Sequence, residues 1–232
     1  MRERGWIAGG PVHDAEVTIA GERLRLMPER AAFWERASTL FVADTHFGKA
    51  AAFRAGGLPV PRGTTSGGVG RLDEALARTG ARRIVFLGDF LHARQGRQPA
   101  TLERLVAWRE SRSDVEMLLV RGNHDRGAGD PPRELRIDCA DPPVVEAPFA
   151  FAHHPGASSS GYVLAGHVHP AVTLFGRGRQ RERLACFLFA PWGAILPAFG
   201  DFTGAGEVSP APADRVFVIA GNEVVEVAPA ER

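Results

Sequence analysis

The chain has 232 residues, 44% hydrophobic and 24% charged, with a net charge of +1. That is ordinary globular composition with enough apolar material for a sizeable core, and it excludes a global positive field that would draw the whole molecule onto nucleic acid or anionic lipid. No apolar run reaches the roughly 18 residues of a membrane helix, and the N-terminal stretch has no apolar segment of signal-peptide length, so a soluble cytoplasmic protein is expected.

Residues 15–28 alternate and turn at Gly21, which predicts a hairpin. Residues 39–43 (TLFVA) read as a short strand ending on Asp44, and a small helix is expected near Lys49. The Gly/Pro-rich stretch 56–65 precedes a helix over 67–79 with Thr65 or Ser66 as its cap. Residues 82–88 form the next strand, ending on Asp89. Leu102, Leu105, Val106 and Trp108 give 101–111 helical spacing, and 115–120 is a third strand ending at GNHD. This alternation implies a parallel sheet wrapped by helices, with ligands at the C-terminal ends of its strands. After residue 149 closely spaced strands (FAFAH, YVLAGH, AVTLF, RLACFLF, RVFVIAGNEVVEV) suit antiparallel pairing. The expected class is α/β: an α/β/β/α sandwich of two mixed sheets flanked by helices. It reads as one domain over 1–232, with a hairpin, a βαβαβ core over 39–125 and a mainly antiparallel half over 149–228. Cys139 and Cys186 lie far apart, and no disulfide is expected.

Two skews in composition carry more than the totals. Every basic side chain is arginine except Lys49, and seven of the eight histidines lie between His46 and His169 beside Asp, Asn and Gly. They fall into five clusters: Asp44-Thr-His46, Gly88-Asp89-Phe-Leu-His92, Gly122-Asn123-His124-Asp125, His153-His154 and Gly166-His167-Val-His169. A lone DxH is common, and GD at a strand end is usually a turn. Their joint occurrence at strand ends is hard to explain by packing. Carboxylate, imidazole and one amide oxygen, without thiolate, suit borderline divalent metals. Asp89 at a strand tip can offer one oxygen to each of two ions, and the adjacent glycines let backbone approach closely.

The series DxH…GDxxH…GNHD…H…GHxH resembles the calcineurin-like binuclear metallophosphoesterase superfamily, whose sandwich fold matches the class expected above. The resemblance covers residues 39–170. It implies that Asp44, His46 and His169 hold one metal, that Asn123, His153 and His167 hold another, and that Asp89 bridges them. It places His124 on the substrate as the catalytic acid, its ring oriented by Asp125 or Asp44. His154 competes with His153 for the ligand position; His153 is favoured because it directly follows the strand FAFA. His92 is expected to orient a ligand or touch substrate.

Longer strings, 43–65, AGHVHP (165–170) and LPAFGDFTGA (196–205), resemble the bacterial ligase-associated DNA damage response endonucleases. That likeness implies manganese-dependent cleavage of single-stranded DNA, with iron, zinc or cobalt as other possible ions, and a functional link to a DNA ligase, a helicase and a nuclease. From the residues themselves, Lys49 and Arg54 follow DTH closely enough to clamp phosphate. Arg177, Arg179, Arg181 and Arg183 alternate and form either a phosphate-binding stripe or a solvated hairpin tip. Phe199 and Phe202 either stack on bases or pack in the core. A phosphomonoesterase, a pyrophosphatase and a non-catalytic scaffold are the competing readings; no amphipathic helix supplies the membrane-facing patch a lipid-linked pyrophosphate would need.

Overall fold

A computed structural model describes residues 11–60, 63–176, 178–201 and 203–228. Its first sheet runs in sequence order: β1 (Ala15–Ile19), β2 (Glu22–Met27), β3 (Ala31–Trp34), β4 (Thr39–Val42), β5 (Arg83–Phe86), β6 (Glu116–Val120) and β7 (Asp138–Ala140). The strands β1 to β4 form an antiparallel meander, while β4 to β7 are parallel. The parallel crossovers carry α1 (Lys49–Ala55), α2 (Thr64–Thr79), α3 (Pro99–Ser111) and α4 (Asn123–Ala128).

The second sheet contains β8 (Val144–Glu146), β9 (Phe149–Phe151), β10 (Tyr162–Ala165), β11 (Pro170–Phe175), β12 (Arg181–Ala190), β13 (Gly193–Ile195), β14 (Gly206–Glu207), β15 (Arg215–Ala220) and β16 (Glu223–Val227). This is the expected sandwich of two mixed sheets. Alternation along each strand explains it. In β4, Leu40 and Val42 belong to the core on the helix side, with Leu72, Leu76 and Leu105, whereas Phe41 belongs to the core between the sheets, with Phe149, Phe151, Phe187 and Phe217. Phe41 lies 5.0 Å from Phe151, and Trp34 meets Phe149 edge-on at 5.0 Å. Each such fully buried side chain contributes about 1.5–3 kcal/mol.

Two expectations need correction, and one strand comes in addition. The second helix starts at Thr64, capped by Gly63 at φ 94, so Thr65 and Ser66 lie inside it; the left-handed glycine turns the chain into the helix before either hydroxyl could cap. The second half is less antiparallel than its strand spacing implies, because β10 pairs parallel with both β9 and β13. Loop 152–161 returns the chain to the start of β10, and the β11–β12 hairpin separates β10 from β13, so neither pair can be a hairpin. The strand β3 was not expected: it is buried at all four positions and shows no alternation.

Candidate active site

The C-terminal ends of β4, β5 and β6 and the loops after β9 and β10 meet at one rim, where the histidine clusters converge. Backbone strain marks the same rim. Asp44 (φ 52), His46 (φ 43), Asp89 (φ 53), His167 (φ 70) and His169 (φ 53) all adopt left-handed conformations. For non-glycine residues each costs about 1 kcal/mol or more and persists only where the surroundings enforce it. Glycines beside them make room: a Cβ on Gly122 would collide with the Asp89 carboxylate, and one on Gly166 with that of Asp44.

Hydrogen bonds fix each ring. His153 is wholly buried and donates from Nδ1 to the Leu87 carbonyl at 3.0 Å. Its Nε2 faces Asn123 Oδ1 at 2.9 Å, His167 Nδ1 at 3.0 Å and Asp89 Oδ1 at 3.4 Å. His169 donates from Nδ1 to the Thr203 carbonyl at 3.0 Å, and its Nε2 lies 3.6 Å from Asp44 Oδ1. His46 Nε2 sits 3.7 Å from Asp89 Oδ2. Asp44 Oδ1 and His46 Nε2 are buried and, among the described residues, have no hydrogen-bond partner. The seven expected metal ligands therefore lie together as two lobes on either side of Asp89. One contains Asp44, His46 and His169, the other Asn123, His153 and His167, with His154 close enough to belong to it as well.

Most of the atoms that converge are lone-pair acceptors facing other acceptors. Burial, followed by the charge of Lys49 and the neighbouring rings, pushes His46 down to about 2, so it stays unprotonated. Burial, reinforced by Asp44, raises Asp89 against the attraction of His153 and His124. Two buried carboxylates among lone pairs are costly unless cations lie between them. The donor set fits a pair of borderline divalent ions.

The remaining predicted residues divide. His124 Nδ1 donates to the His92 carbonyl at 2.6 Å, so that carbonyl orients its ring, and neither Asp125 nor Asp44 does. Asp125 instead accepts from the backbone N–H groups of Asp89, Phe90 and Gly122 at 2.7, 3.0 and 2.8 Å. It ties the β5 and β6 loops together, and burial raises its pKa despite those bonds. The His92 ring stacks on His124 and brings Nδ1 to 3.4 Å from His46 Nδ1, which fits ligand orientation; burial and then Lys49 push it down to about 4. His154 is exposed, its ring 4.1 Å from that of His167. Lys49 is half-buried beside Phe53, and its pKa is lowered by burial against the pull of Asp89 and Asp44, so it does face the cluster. Arg54 lies in the last turn of α1, and Arg179 is exposed beyond β11. Arg177 and Phe202 lie outside the described residues, and Phe199 is core, fully buried under the Arg71 guanidinium.

Sequence reasoning missed Thr45 and Thr203. Buried Thr45 donates to the Phe90 carbonyl at 2.9 Å and pins the Asp44 loop to the Asp89 loop. The segment 196–205 braces the first lobe: Phe199 and Gly200 donate to the carbonyls of Ala43 and Asp44, and Thr203 receives His169. A hydroxyl between two ligands was a readable signal for Thr45; Thr203 acts through backbone, which leaves no side-chain signature.

The profile of the calcineurin-like phosphoesterase family matches residues 37–183. The chain is similar to the nuclease MPE of Pseudomonas putida, at 41% identity over 93% of this chain and 100% of that one, with a TM-score of 0.82. A more distant likeness is to Yfce, a phosphoesterase from E. coli, at 17% identity over 83% of this chain and 99% of that one, with a TM-score of 0.41. No curated protein sequence matches the chain. Among the described residues no helix is long and apolar enough to cross a membrane.

Proposed function

The chain belongs to the calcineurin-like phosphoesterase family and is a metal-dependent phosphoester hydrolase, and from that premise we propose that it is a manganese-dependent endonuclease acting on single-stranded DNA in repair. The observation that carries this reading is the two-lobed cage, in which the two oxygens of Asp89 face different sets of lone pairs. Asp44, His46 and His169 would hold one ion, Asn123, His153 and His167 the other, and Asp89 both. Bound there, two divalent cations activate water, orient the phosphate oxygens and neutralise developing charge. Likeness to a nuclease along that protein's whole length favours a nucleic-acid phosphodiester over a small phosphomonoester. The link to a DNA ligase, a helicase and a partner nuclease belongs to the same proposal.

The protein's own groups complete the chemistry. With Nδ1 held by the His92 carbonyl, His124 presents Nε2 to the cleft, 3.9 Å from Asp89 Oδ2. From there it protonates or hydrogen-bonds the leaving oxygen. Lys49 holds a phosphate oxygen from the first turn of α1. His92 keeps both His46 and His124 in place.

The test is manganese-supplemented protein on circular single-stranded DNA, linear single strands and duplex, beside mono- and bis-nitrophenyl phosphate. Cleavage of the circle and of the bis-ester is expected. Shortening of linear DNA from its ends with the circle intact would make the enzyme an exonuclease. Hydrolysis of the mono-ester alone would make it a phosphatase.

A further inference from the structure

The β11–β12 hairpin rises from the same end of the sandwich as the cage. Ala165, which directly precedes Gly166-His167, is level with Ile195, and Ile195 is level with Leu188 of β12. From Leu188 back to Arg181 the strand continues seven residues past that rim, about 23 Å at strand rise. Its partner β11 begins at Pro170, immediately after His169.

Register decides which side chains share a face. Thr173 pairs with Arg183 and Phe175 with Arg181, while Val172 pairs with Leu184 and Leu174 with Glu182. Directly opposed residues point to the same side of a sheet, and alternate residues along a strand do too. Val172, Leu174 and Leu184 pack into the small cluster around Cys186 and Val218. The other face is left with Thr173, Phe175, Arg181 and Arg183, and with Glu207, which accepts from the Thr173 hydroxyl at 3.0 Å. Phe175 is 75% exposed, the most exposed large hydrophobic side chain among the described residues. Arg183 reaches the Ala205 carbonyl. Among the described residues neither Arg179 nor Arg181 has an acid within ion-pair distance, and both are exposed.

A bare aromatic ring beside unneutralised guanidinium groups has the composition of a single-strand platform: aromatics take base faces, which all four bases share, and cations take the backbone. A duplex hides those faces, and a protein partner would have to neutralise the arginines. We propose that Phe175 is a base-stacking residue for the unpaired strand leaving the cage, with Arg181 and Arg179 on its phosphates. This rests on the DNA-nuclease reading and deepens it by giving single-strand preference a physical source. The span from His169 to Phe175, six residues or about 20 Å, accommodates about six stacked nucleotides at about 3.4 Å each.

The experiment is steady-state cleavage, by the manganese-loaded protein, of an oligo-dT strand and of a matched strand whose flanking sugars carry no bases. In Phe175→Ala the KM for oligo-dT should rise about tenfold with little change in kcat, and Phe175→Trp should restore it. On the abasic strand, parent and Phe175→Ala should share one KM. Equal KM values for parent and Phe175→Ala on oligo-dT overturn the inference and leave the nuclease reading standing. So does an equal rise on both strands, which marks a structural role. A parent protein that cuts no single-stranded DNA brings down the nuclease reading and this inference together.

Discussion

Glu29 and Asp44 are both carboxylates with no solvent exposure, and the fold treats them oppositely. Glu29 is closed within the protein: Arg78 Nη1 reaches both of its oxygens at 2.6 Å, and Nη2 reaches Asp14 at 2.6 Å. Asp44 is left open. Its Oδ2 accepts the His167 N–H at 2.8 Å, but Oδ1 accepts nothing among the described residues and has two imidazole nitrogens 3.6 and 3.7 Å away. Burial alone does not separate scaffold from site; completion does. A buried charge whose partners are all protein groups ties elements together. One with a buried oxygen that no protein donor satisfies, and with the lone pair of His169 Nε2 nearby, is the kind of group a cation would complete.

The sharpest way to break that contrast is Asp89→Asn. It keeps an oxygen for the His124 N–H but removes the negative charge placed between the lobes, and hydrolysis should fall by about 10³-fold or more. The metal-free protein should melt higher: burial raises the folded-state pKa of Asp89, so above the usual carboxylate range its ionised form costs stability, which the amide relieves. A variant that melts lower without metal, or retains turnover, would refute the open-site reading. Arg78→Ala probes the closed cluster. It strands buried Glu29 and should cost about 3 kcal/mol, roughly 10 °C of melting temperature in a chain of this size, with kcat/KM preserved at temperatures where the variant is folded. An unchanged melting temperature would show that Glu29 is not held by that arginine.

His124→Ala should slow a diester with an alkoxide leaving group about 10²-fold and one with nitrophenolate far less, since the latter leaves without a proton. Equal losses would assign His124 to binding. The smallest effect is expected at His154. Its exposed ring lies against both His167 and His153, but Asn123 Oδ1 and His167 Nδ1 already face the buried Nε2 of His153, so His154→Ala should retain both metal equivalents while His153→Ala loses one. Retention by both variants, or the reverse order, would move the ligand to the neighbouring residue.

The sequence made the first sheet legible because its strands are short apolar runs that end on chemistry-bearing residues, as at Val42-Ala43-Asp44 and Phe86-Leu87-Gly88-Asp89. Strand parity favours His153 over His154; the structure buries the former and exposes the latter, yet brings both rings against His167. The parallel pairing of β10 was not legible, because the connection that sets it, loop 152–161, has no regular structure to announce a return. The orientation of His124 was misassigned to carboxylates for a similar reason. Its partner is the His92 backbone carbonyl, and every residue in a sequence has one. Phe175 escaped notice because strand register, not composition, puts it on the open face with Arg181.

The most direct test of the open-cage account is titration of metal-stripped protein with manganese, following free ion by electron paramagnetic resonance and stability by thermal melting. Two equivalents should bind, and the melting temperature should rise with metal concentration, by the equivalent of about 2.7 kcal/mol per ion at a hundredfold excess over Kd. Asp89→Asn should abolish most of both signals. A parent protein that binds no manganese, or binds it without any gain in stability, would contradict the claim that Asp44 Oδ1, His46 Nε2 and their neighbours are completed by metal.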